Sequence, residues 1–432
     1  MADIKSYTIS IDDERLDDLK MRLSLAKFPD ELDGAGWDMG SSLADVKRLV
    51  KYWQESYDWR KAEKELNNVP HFVTDIQCDG FEPLAIHFIH VRSKVQGAIP
   101  LLFIHGWPGH FQEVLKILKP LTEGGDGVKY PAFDIVAPSL PNFGFSQGSK
   151  KRGFAAEQYA ETMNKLMLKL GYKEYVTQGG KMYILINSGT FMNSLTWCIG
   201  DWGCHISRAL AHLYPQYCKA THLNFNSSNP PSYFKNPILA LQHAILPYSS
   251  REKRGVDRSR WFDEQGRGYN LEQCTKPQTL GYALADSPVA LLAWIYEKLH
   301  DWSDSYPWTD EEVCTWISIY WFSTAGPAAS VRIYYETEQN IDGRKNKLNH
   351  QGLRAWSPGV KLGFSHFPMD IQVQPSTWVR TLGNVVFERE HDSGGHFASW
   401  EKPEEIITDV REMFGKGGGA FGVVKDATGY VS

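Results

Sequence analysis

Some common signatures are missing from this sequence of 432 residues. Its six cysteines are scattered and show no C-x-x-C spacing, which argues against zinc and dithiol sites and favours reduced thiols. The N-terminus has no basic start followed by an apolar core, so it does not read as a signal peptide. The most apolar run, Ser287 to Tyr296, is too short to span a bilayer. We therefore expect a cytoplasmic protein without a membrane anchor.

A large excess of charge of either sign is also missing. The net charge is −5, so neither nucleic acid nor an anionic membrane is expected as a partner. Aromatic residues, by contrast, are abundant, with 15 Trp, 20 Tyr and 21 Phe. Most of them belong in a core, but such a number also suits a pocket for apolar ligands.

The hydrophobic pattern predicts an α/β protein with an inserted helical lid. Helical spacing near the start is followed by a strand pair, and from Ile99 apolar strands alternate with helices, which predicts a parallel sheet. We divide the chain into an N-terminal segment of helices and first strands, a first part of the sheet domain, a lid, a second part of the sheet domain and a tail, with bounds 1–92, 93–226, 227–352, 353–414 and 415–432. The glycine-rich tail lacks the GK[ST] ending of a phosphate loop, so we predict a linker.

Three features follow predicted strands, at the edge where open α/β sheets place their sites. The first is "HGWPG", His105 to Gly109. Tight turns often use His-Gly, but in hydrolases with such a sheet a backbone N–H at this point helps to form an oxyanion hole. The second is "GDWG", Gly200 to Gly203, and the third is "HDSGGHFASWEKP", His391 to Pro403.

Asp201 in the second feature occupies the place of a nucleophile on a turn between strand and helix. Serine attacking a saturated carbon would form an ether, which water does not easily cleave. A carboxylate forms an ester instead, and water opens an ester at its carbonyl. An aspartate at this turn therefore indicates alkyl electrophiles such as epoxides or alkyl halides.

The third feature holds a candidate general base. His396 follows two glycines and precedes a helix, so we prefer it to His391, for which we expect a structural role. Asp370 in "HFPMD", just past a predicted strand, is a candidate partner that would orient the imidazole and stabilise its charged form. The alternative role for this aspartate is a helix N-cap.

With these features the chain resembles the microsomal-type epoxide hydrolases from about Tyr7 to Phe414. The resemblance rests on "HGWPG", "DWG", "TKPQTLGYALADSPVALLAWIYEK", "RIYYE", "FPMD" and "GGHFASWEKPE", in the family's order. It implies an α/β-hydrolase fold with an N-terminal helical meander and a mainly helical lid inserted in the sheet domain. It also implies hydrolysis of a small apolar epoxide by water to a vicinal diol, in detoxification or aromatic hydrocarbon catabolism. No cofactor or metal is needed, and a homodimer is left open.

The resemblance also assigns roles in two half-reactions. Asp201 is the nucleophile that forms the ester, His396 is the base that activates water, and Asp370 is the acid partner of His396. The backbone N–H groups of Trp107 and Trp202 stabilise the oxyanion.

Two lid tyrosines complete the set of residues that the family uses. The match places them at Tyr269 and Tyr334, over the epoxide oxygen. A phenol suits this role because it can donate a hydrogen bond to the opening alkoxide and then a proton. Tyr335 is the nearest alternative to Tyr334.

A departure from the family is the stretch Lys181 to Gly200, which separates "QGG" from "DWG". The residue two before the nucleophile needs to be small, and here it is Ile199 instead of Gly179. Codons GGT-AAG at the start and ATA-G at the end would give the splice signals of an intron whose removal keeps the frame. We prefer this retained-intron hypothesis to a true loop. Either the strand "EYVTQGG" keeps its place before Asp201, or "SLTWCIG" replaces it.

Two other functions stay open from the sequence. A haloalkane dehalogenase also uses an aspartate on this turn, often with Trp after it, but it needs halide donors rather than lid tyrosines. A catalytically inactive hydrolase fold that acts as a binding protein would follow if the insert displaces Asp201.

Overall fold

A nine-stranded sheet forms the centre of the computed structural model, which describes residues 4–125, 127–180, 202–225, 228–339, 348 and 350–431. The strands are β1 Lys5–Tyr7, β2 His71–Ile76, β3 Leu84–Val91, β4 Ile99–Ile104, β5 Phe133–Pro138, β6 Tyr175–Gly179, β7 Cys218–Leu223, β8 Ser357–His366 and β9 Gly383–Glu390. Their order across the sheet is β1-β2-β3-β5-β4-β6-β7-β8-β9. Strands β1 to β3 add to the sheet by antiparallel pairing, whereas the pairs from β5 to β9 are parallel.

The described residues also form helices, which pack against the sheet or make up the lid. They are α1 Asp13–Ser24, α2 Leu43–Glu55, α3 Trp59–Leu66, α4 Leu115–Glu123, α5 Ala156–Lys169, α6 Trp202–Leu213, α7 Pro237–Ile245, α8 Ser250–Trp261, α9 Gly268–Thr275, α10 Pro277–Asp286, α11 Pro288–Asp301, α12 Asp310–Trp321, α13 Arg332–Glu338, α14 His350–Leu353, α15 Ser376–Val379, α16 Ala398–Glu401 and α17 Pro403–Phe414. Across the described ranges, none of these helices combines the length and the apolar character needed to cross a membrane.

The predicted fold class is confirmed by this alternation of buried strands and helices. Strand β4, "IPLLFI", is buried along its whole length, as expected for a strand covered by helices on both faces. Helices α7 to α14 lie between β7 and β8 in the chain, where the sequence predicts the lid.

The lid is fastened to the sheet domain through α12. The indole N–H of Trp316 donates to the carbonyl of Pro108 at 2.6 Å, and the hydroxyl of Tyr320 donates to the carbonyl of Gly109 at 2.6 Å. On its other side, α12 is bonded to the N-terminal helices, since the indole N–H of Trp53 reaches the hydroxyl of Ser318 at 3.1 Å. The N-terminal segment therefore holds the lid helix over the "HGWPG" loop.

The prediction of a linker for the glycine-rich tail is wrong within the described residues. The amide of Ala132 donates to the carbonyl of Gly429 at 2.8 Å, and the amide of Gly429 donates to the carbonyl of Gly97 at 2.8 Å. A side chain at Gly418 or Gly419 would collide with neighbouring backbone carbonyls. These glycines serve close packing rather than flexibility, which composition alone does not distinguish.

The strand before the insert keeps its place in the sheet. Strand β6 pairs with β4 and β7 in a register that sets Gly179 opposite Ile104 and Leu223. The sequence allows either "EYVTQGG" or "SLTWCIG" as the strand at this place in the sheet. The structure has "EYVTQGG" there. Residues Lys181 to Asp201, including Ile199, lie outside the described residues.

The end of β6 and the start of α6, which precede and follow residues 181–201, lie in direct contact. The carbonyl of Gly180 accepts a hydrogen bond from the amide of Cys204 at 2.6 Å. Without residues 181–200, Cys204 would follow Gly180 by four positions, so this contact has the pairing of an α-helical hydrogen bond. A side chain at Gly179 would collide with the carbonyl of Gly203 and the hydroxyl of Ser207. Gly179 thus occupies the tight position that requires a small residue.

We expect that deleting residues 181–200 leaves β6 and α6 in place, because the deleted chain can close through the bond between Gly180 and Cys204. Soluble yield and melting temperature should rise, and turnover of epoxides should rise with them. The matched control deletes residues 180–200, which shortens the turn by one residue and shifts that bond out of register. Equal behaviour of the two deletions, or full activity before deletion with no gain after it, would support a true loop.

Acid should destabilise the fold because burial lowers the pKa of several described histidines below the ordinary value of 6.5. They are His71, His87, His90, His105, His110, His205, His212 and His222. Between the unfolded and the folded pKa, the unfolded chain binds more protons, so stability falls as the pH drops below about 6.5.

For His105 and His222 burial lowers the pKa to about 4. Each should therefore cost about 1.4 kcal/mol of unfolding free energy on going from about pH 7.5 to about pH 5.5. The melting temperature should drop over this range, and His222→Gln should make the drop smaller. A melting temperature that stays constant, or an unchanged slope in the variant, would contradict the argument.

Candidate active site

A buried acid–base pair joins the ends of β8 and β9. Asp370 follows β8 and His396 follows β9, and they are 2% and 1% exposed. Nδ1 of His396 lies 2.7 Å from Oδ1 of Asp370, which also accepts the amide of Ile371 at 2.7 Å. The alternative of a helix N-cap for Asp370 is wrong, since the next helix, α15, begins at Ser376. The carboxylate does not cap a helix, and its contact with Nδ1 fixes the orientation of the imidazole.

The two glycines before His396 are required by the way its loop is held. Gly394 has a φ of 114°, and its amide donates to a carboxylate oxygen of Asp304 at 2.7 Å. A side chain at Gly395 would collide with the carbonyl of Trp302. That same carbonyl accepts the amide of His396 at 2.7 Å. The lid segment around Trp302 and Asp304 thus sets the position of the histidine.

Arg258 of α8 holds the loop that carries Asp370. Its guanidinium donates to the carbonyl of Asp370 at 3.2 Å, to that of Met369 at 3.3 Å and to that of Asp301 at 2.5 Å. Burial lowers the pKa of Arg258 to about 10, and the nearby Asp370 opposes this shift. The side chain therefore stays charged at neutral pH and fixes the backbone behind the carboxylate.

The two predicted lid tyrosines face each other inside the protein. Tyr269 of α9 and Tyr334 of α13 are buried, with ring centroids 6.2 Å apart and planes at 83°. Trp107 stacks on Tyr269 at 5.2 Å and meets Tyr334 edge-on at 5.9 Å. Tyr335 instead lines a surface groove with Arg332, on another side of α13. Tyr334 is therefore the tyrosine of α13 whose ring packs against Tyr269.

The other predicted residues that the structure describes lie around the same buried rings. Trp202 is the first residue of α6, and its buried ring lies 5.1 Å from that of Tyr334. The ring of Trp302 lies 5.1 Å from that of Tyr269 and 4.6 Å from that of His396. Asp201, immediately before Trp202, lies outside the described residues. The rings of Tyr269, Tyr334, Trp107, Trp202 and Trp302 thus form one buried cluster, which we call the aromatic enclosure. His396 borders this cluster through Trp302, and Asp370 lies behind His396.

The histidine of "HGWPG" supports the loop rather than the chemistry. Burial lowers the pKa of His105 to about 4, so the ring is neutral. Its Nε2 accepts the amide of Leu140 at 3.1 Å, and its Nδ1 lies 3.0 Å from the carbonyl of Gly106. These bonds fix the backbone that precedes Trp107.

Two other arrangements resemble catalytic groups but are enclosed. The sequence "GFSQG" around Ser146 has the spacing of a serine nucleophile, yet its buried hydroxyl donates to the carbonyl of Ser139 at 2.7 Å and accepts the amide of His87 at 2.9 Å. His391 lies 2.6 Å from a carboxylate oxygen of the buried Asp409. This geometry agrees with the structural role expected for His391.

Sequence reasoning missed the residues that position the pair. Trp302, Asp304 and Arg258 position the pair through hydrogen bonds to backbone groups. The residue types in a sequence do not show which residues make such bonds. Trp302 is one of fifteen tryptophans. The sequence "DWSD" around it carries no pattern that would separate it from the core.

Two protein families match parts of this chain. The family described as "Epoxide hydrolase N terminus" matches residues 4–114. The family described as "alpha/beta hydrolase fold" matches residues 99–180, and so stops where the insert begins. A "Putative epoxide hydrolase" of Stigmatella aurantiaca is 36% identical, over 95% of this chain and 84% of that protein. "Epoxide hydrolase 1" of Oryctolagus cuniculus is 31% identical, over 95% of this chain and 89% of that protein.

Solved structures agree with these relatives. The epoxide hydrolase of Aspergillus niger is 33% identical and superposes with a TM-score of 0.77, covering 94% of this chain and 95% of its own. The juvenile hormone epoxide hydrolase of the silkworm Bombyx mori is 28% identical, with a TM-score of 0.78 over 94% and 93% of the two chains. The chain belongs to the epoxide hydrolases, enzymes with the α/β-hydrolase fold that add water to an epoxide.

Proposed function

We propose that this chain opens its epoxide through an ester on Asp201. In the first half-reaction the carboxylate of Asp201 attacks an epoxide carbon, and the bond from that carbon to oxygen breaks. Tyr269 and Tyr334 hold the leaving oxygen, and one phenol gives it a proton. The facing of these two phenols in one buried enclosure supports this role.

In the second half-reaction water hydrolyses the ester. His396 takes a proton from the water, whose oxygen attacks the ester carbonyl of Asp201, and the diol leaves. The carboxylate of Asp370 holds the imidazole and stabilises its charged form, as the 2.7 Å contact between them supports. The backbone N–H groups of Trp107 and Trp202 stabilise the oxyanion.

One observation carries the proposal more than any other. The acid–base pair of His396 and Asp370 is connected to the Tyr269 ring through the single ring of Trp302, which touches both sides. A base for ester hydrolysis and a donor for an opening oxygen therefore lie on two sides of one enclosure. The aromatic lining favours a small apolar epoxide as substrate.

The proposed function is accompanied by a proposed division of the chain into five segments. The segments 1–92, 93–226, 227–352, 353–414 and 415–432 would be an N-terminal segment, a first core part, a lid, a second core part and a tail. The lid helices contribute Tyr269 and Tyr334, whereas the ends of core strands contribute Asp370 and His396. Catalysis would thus occur where lid and core meet.

A second candidate is a dehalogenase activity, and one observation favours it. Within the described residues, the buried indole N–H of Trp202 has no hydrogen-bond acceptor, as a halide-binding group would require. Halide release from 1-bromoalkanes, measured beside epoxide turnover, tests this candidate. Release that survives Tyr269→Phe would favour it, because halide departure needs no phenol.

The ester should be visible in a single turnover in ¹⁸O water. The first diol should be unlabelled and the label should enter the Asp201 carboxylate, because water attacks the carbonyl carbon of the ester. His396→Gln should slow ester hydrolysis by about 10²–10⁴-fold, so that the protein gains the mass of one epoxide. Label in the first diol would show direct attack by water on the epoxide.

Loss of both lid phenols should stop epoxide opening. Tyr269→Phe combined with Tyr334→Phe should remove ester formation, and each single change should slow it by about 10²–10³-fold, the usual effect of one lost donor. Tyr335→Phe is the matched control and should stay near the unchanged protein. Melting curves show whether the variants stay folded. Substantial opening by the double variant would mean that other groups hold the oxygen.

A further inference from the structure

A buried lysine lies behind one of the two lid phenols. Lys298 of α11 is only 1% exposed, although lysine is almost never fully buried. Its ammonium lies 5.2 Å from the ring centroid of Tyr269 and 4.5 Å from that of Trp294. Both distances are within the range of a cation–π contact. This cation has no part in the half-reactions described above.

The charge of Lys298 is kept by its neighbour in sequence. Its ammonium donates to a carboxylate oxygen of Glu297 at 2.6 Å, and the Glu297 side chain is 30% exposed. Burial lowers the pKa of Lys298, while Glu297 and, less strongly, Asp301 raise it. The negative end of the pair therefore reaches solvent, where water screens it, and the positive end faces the aromatic enclosure.

The charged and titratable groups around Lys298 and the Tyr269 ring belong to three helices. Glu297 and Asp301 lie on α11 with the lysine, and Arg258 of α8 donates to the carbonyl of Asp301. Tyr334 of α13 is a further titratable ring that meets the Tyr269 ring edge-on, with the centroids 6.2 Å apart. Among the residues that the structure describes, Lys298 is thus the cation that lies against the Tyr269 ring.

We propose that Lys298 is a positioning residue for epoxide opening, which acts through Tyr269 by stabilising its ring as the phenol gives up its proton. The inference rests on the role proposed for Tyr269. When the proton moves from the Tyr269 oxygen to the opening alkoxide, one O–H bond breaks and another forms, and a phenolate remains. Its negative charge spreads into the ring that the ammonium faces. The attraction therefore grows during the step, which is the condition for lowering a barrier.

The first test measures the ionisation of Tyr269 without any turnover. The absorbance change of phenols near 295 nm is followed against pH in four proteins: unchanged, Tyr269→Phe, Lys298→Met and the two changes combined. Subtracting each curve that lacks Tyr269 isolates its titration. Lys298→Met should raise the pKa of Tyr269 by about one unit, since removing a unit charge near 5 Å in a partly screened site has an effect of this order.

Lys298→Arg is the matched control, because it keeps the charge and most of the length of the side chain. It should restore the Tyr269 titration to within a few tenths of a unit of the unchanged protein. Circular dichroism and melting curves show that each variant is folded. An unmoved titration in Lys298→Met, or a shift in Lys298→Arg as large as in Lys298→Met, would overturn the inference.

The second test follows ester formation in a single turnover. Lys298→Met should slow it by up to about tenfold, the limit that one pKa unit sets for a proton fully transferred in the transition state. Ester hydrolysis should be unchanged. If Tyr269→Phe does not slow opening, the role proposed for Tyr269 fails, whatever its titration shows. If Tyr269→Phe slows opening but Lys298→Met does not, only the role of Lys298 fails.

Discussion

The close meeting of three backbone segments is the constraint on which the site depends. The end of β6, the start of α6 and the end of β4 approach so closely that Gly179 and Gly203 have no room for a side chain. The bond between the Gly180 carbonyl and the Cys204 amide fixes the first turn of α6. Trp202 is the first residue of that turn, so the geometry of these few peptide groups determines where its ring lies against Tyr334.

The other half of the site depends on contacts between lid and core. His396 belongs to the core by sequence, but its amide is bonded to the carbonyl of Trp302 in the lid region. Asp370 also follows a core strand, and Arg258 of a lid helix holds its backbone. Contacts from the lid therefore support the backbone of both members of the acid–base pair. The aromatic rings between Tyr269 and His396 make the same connection through apolar contacts.

Sequence reasoning reached much of this arrangement because strand ends and special residue types carry a readable signal. The parallel sheet and the helical lid are confirmed, and the structure brings His396 against Asp370 and Tyr334 against Tyr269. The roles assigned to these four residues stay predictions. It failed for the tail, because glycine serves both flexible linkers and close packing, and here the tail packs closely. It also failed for residues such as Trp302, whose backbone carbonyl positions His396. It also gave no reason to single out Lys298, because burial of a charge depends on tertiary contacts that no local pattern encodes.

The attachment of α12 to the "HGWPG" loop has a mechanical consequence. The carbonyls of Pro108 and Gly109, which directly follow Trp107, each accept a hydrogen bond from a ring of α12. Swinging α12 away from the sheet would break two buried hydrogen bonds and turn the peptide units beside the Trp107 N–H. Helix α12 is therefore a fixed part of the lid, held in place over the "HGWPG" loop. A substrate that enters without breaking these two bonds must pass α12 on another side, while α12 holds the peptide units that follow Trp107 in place.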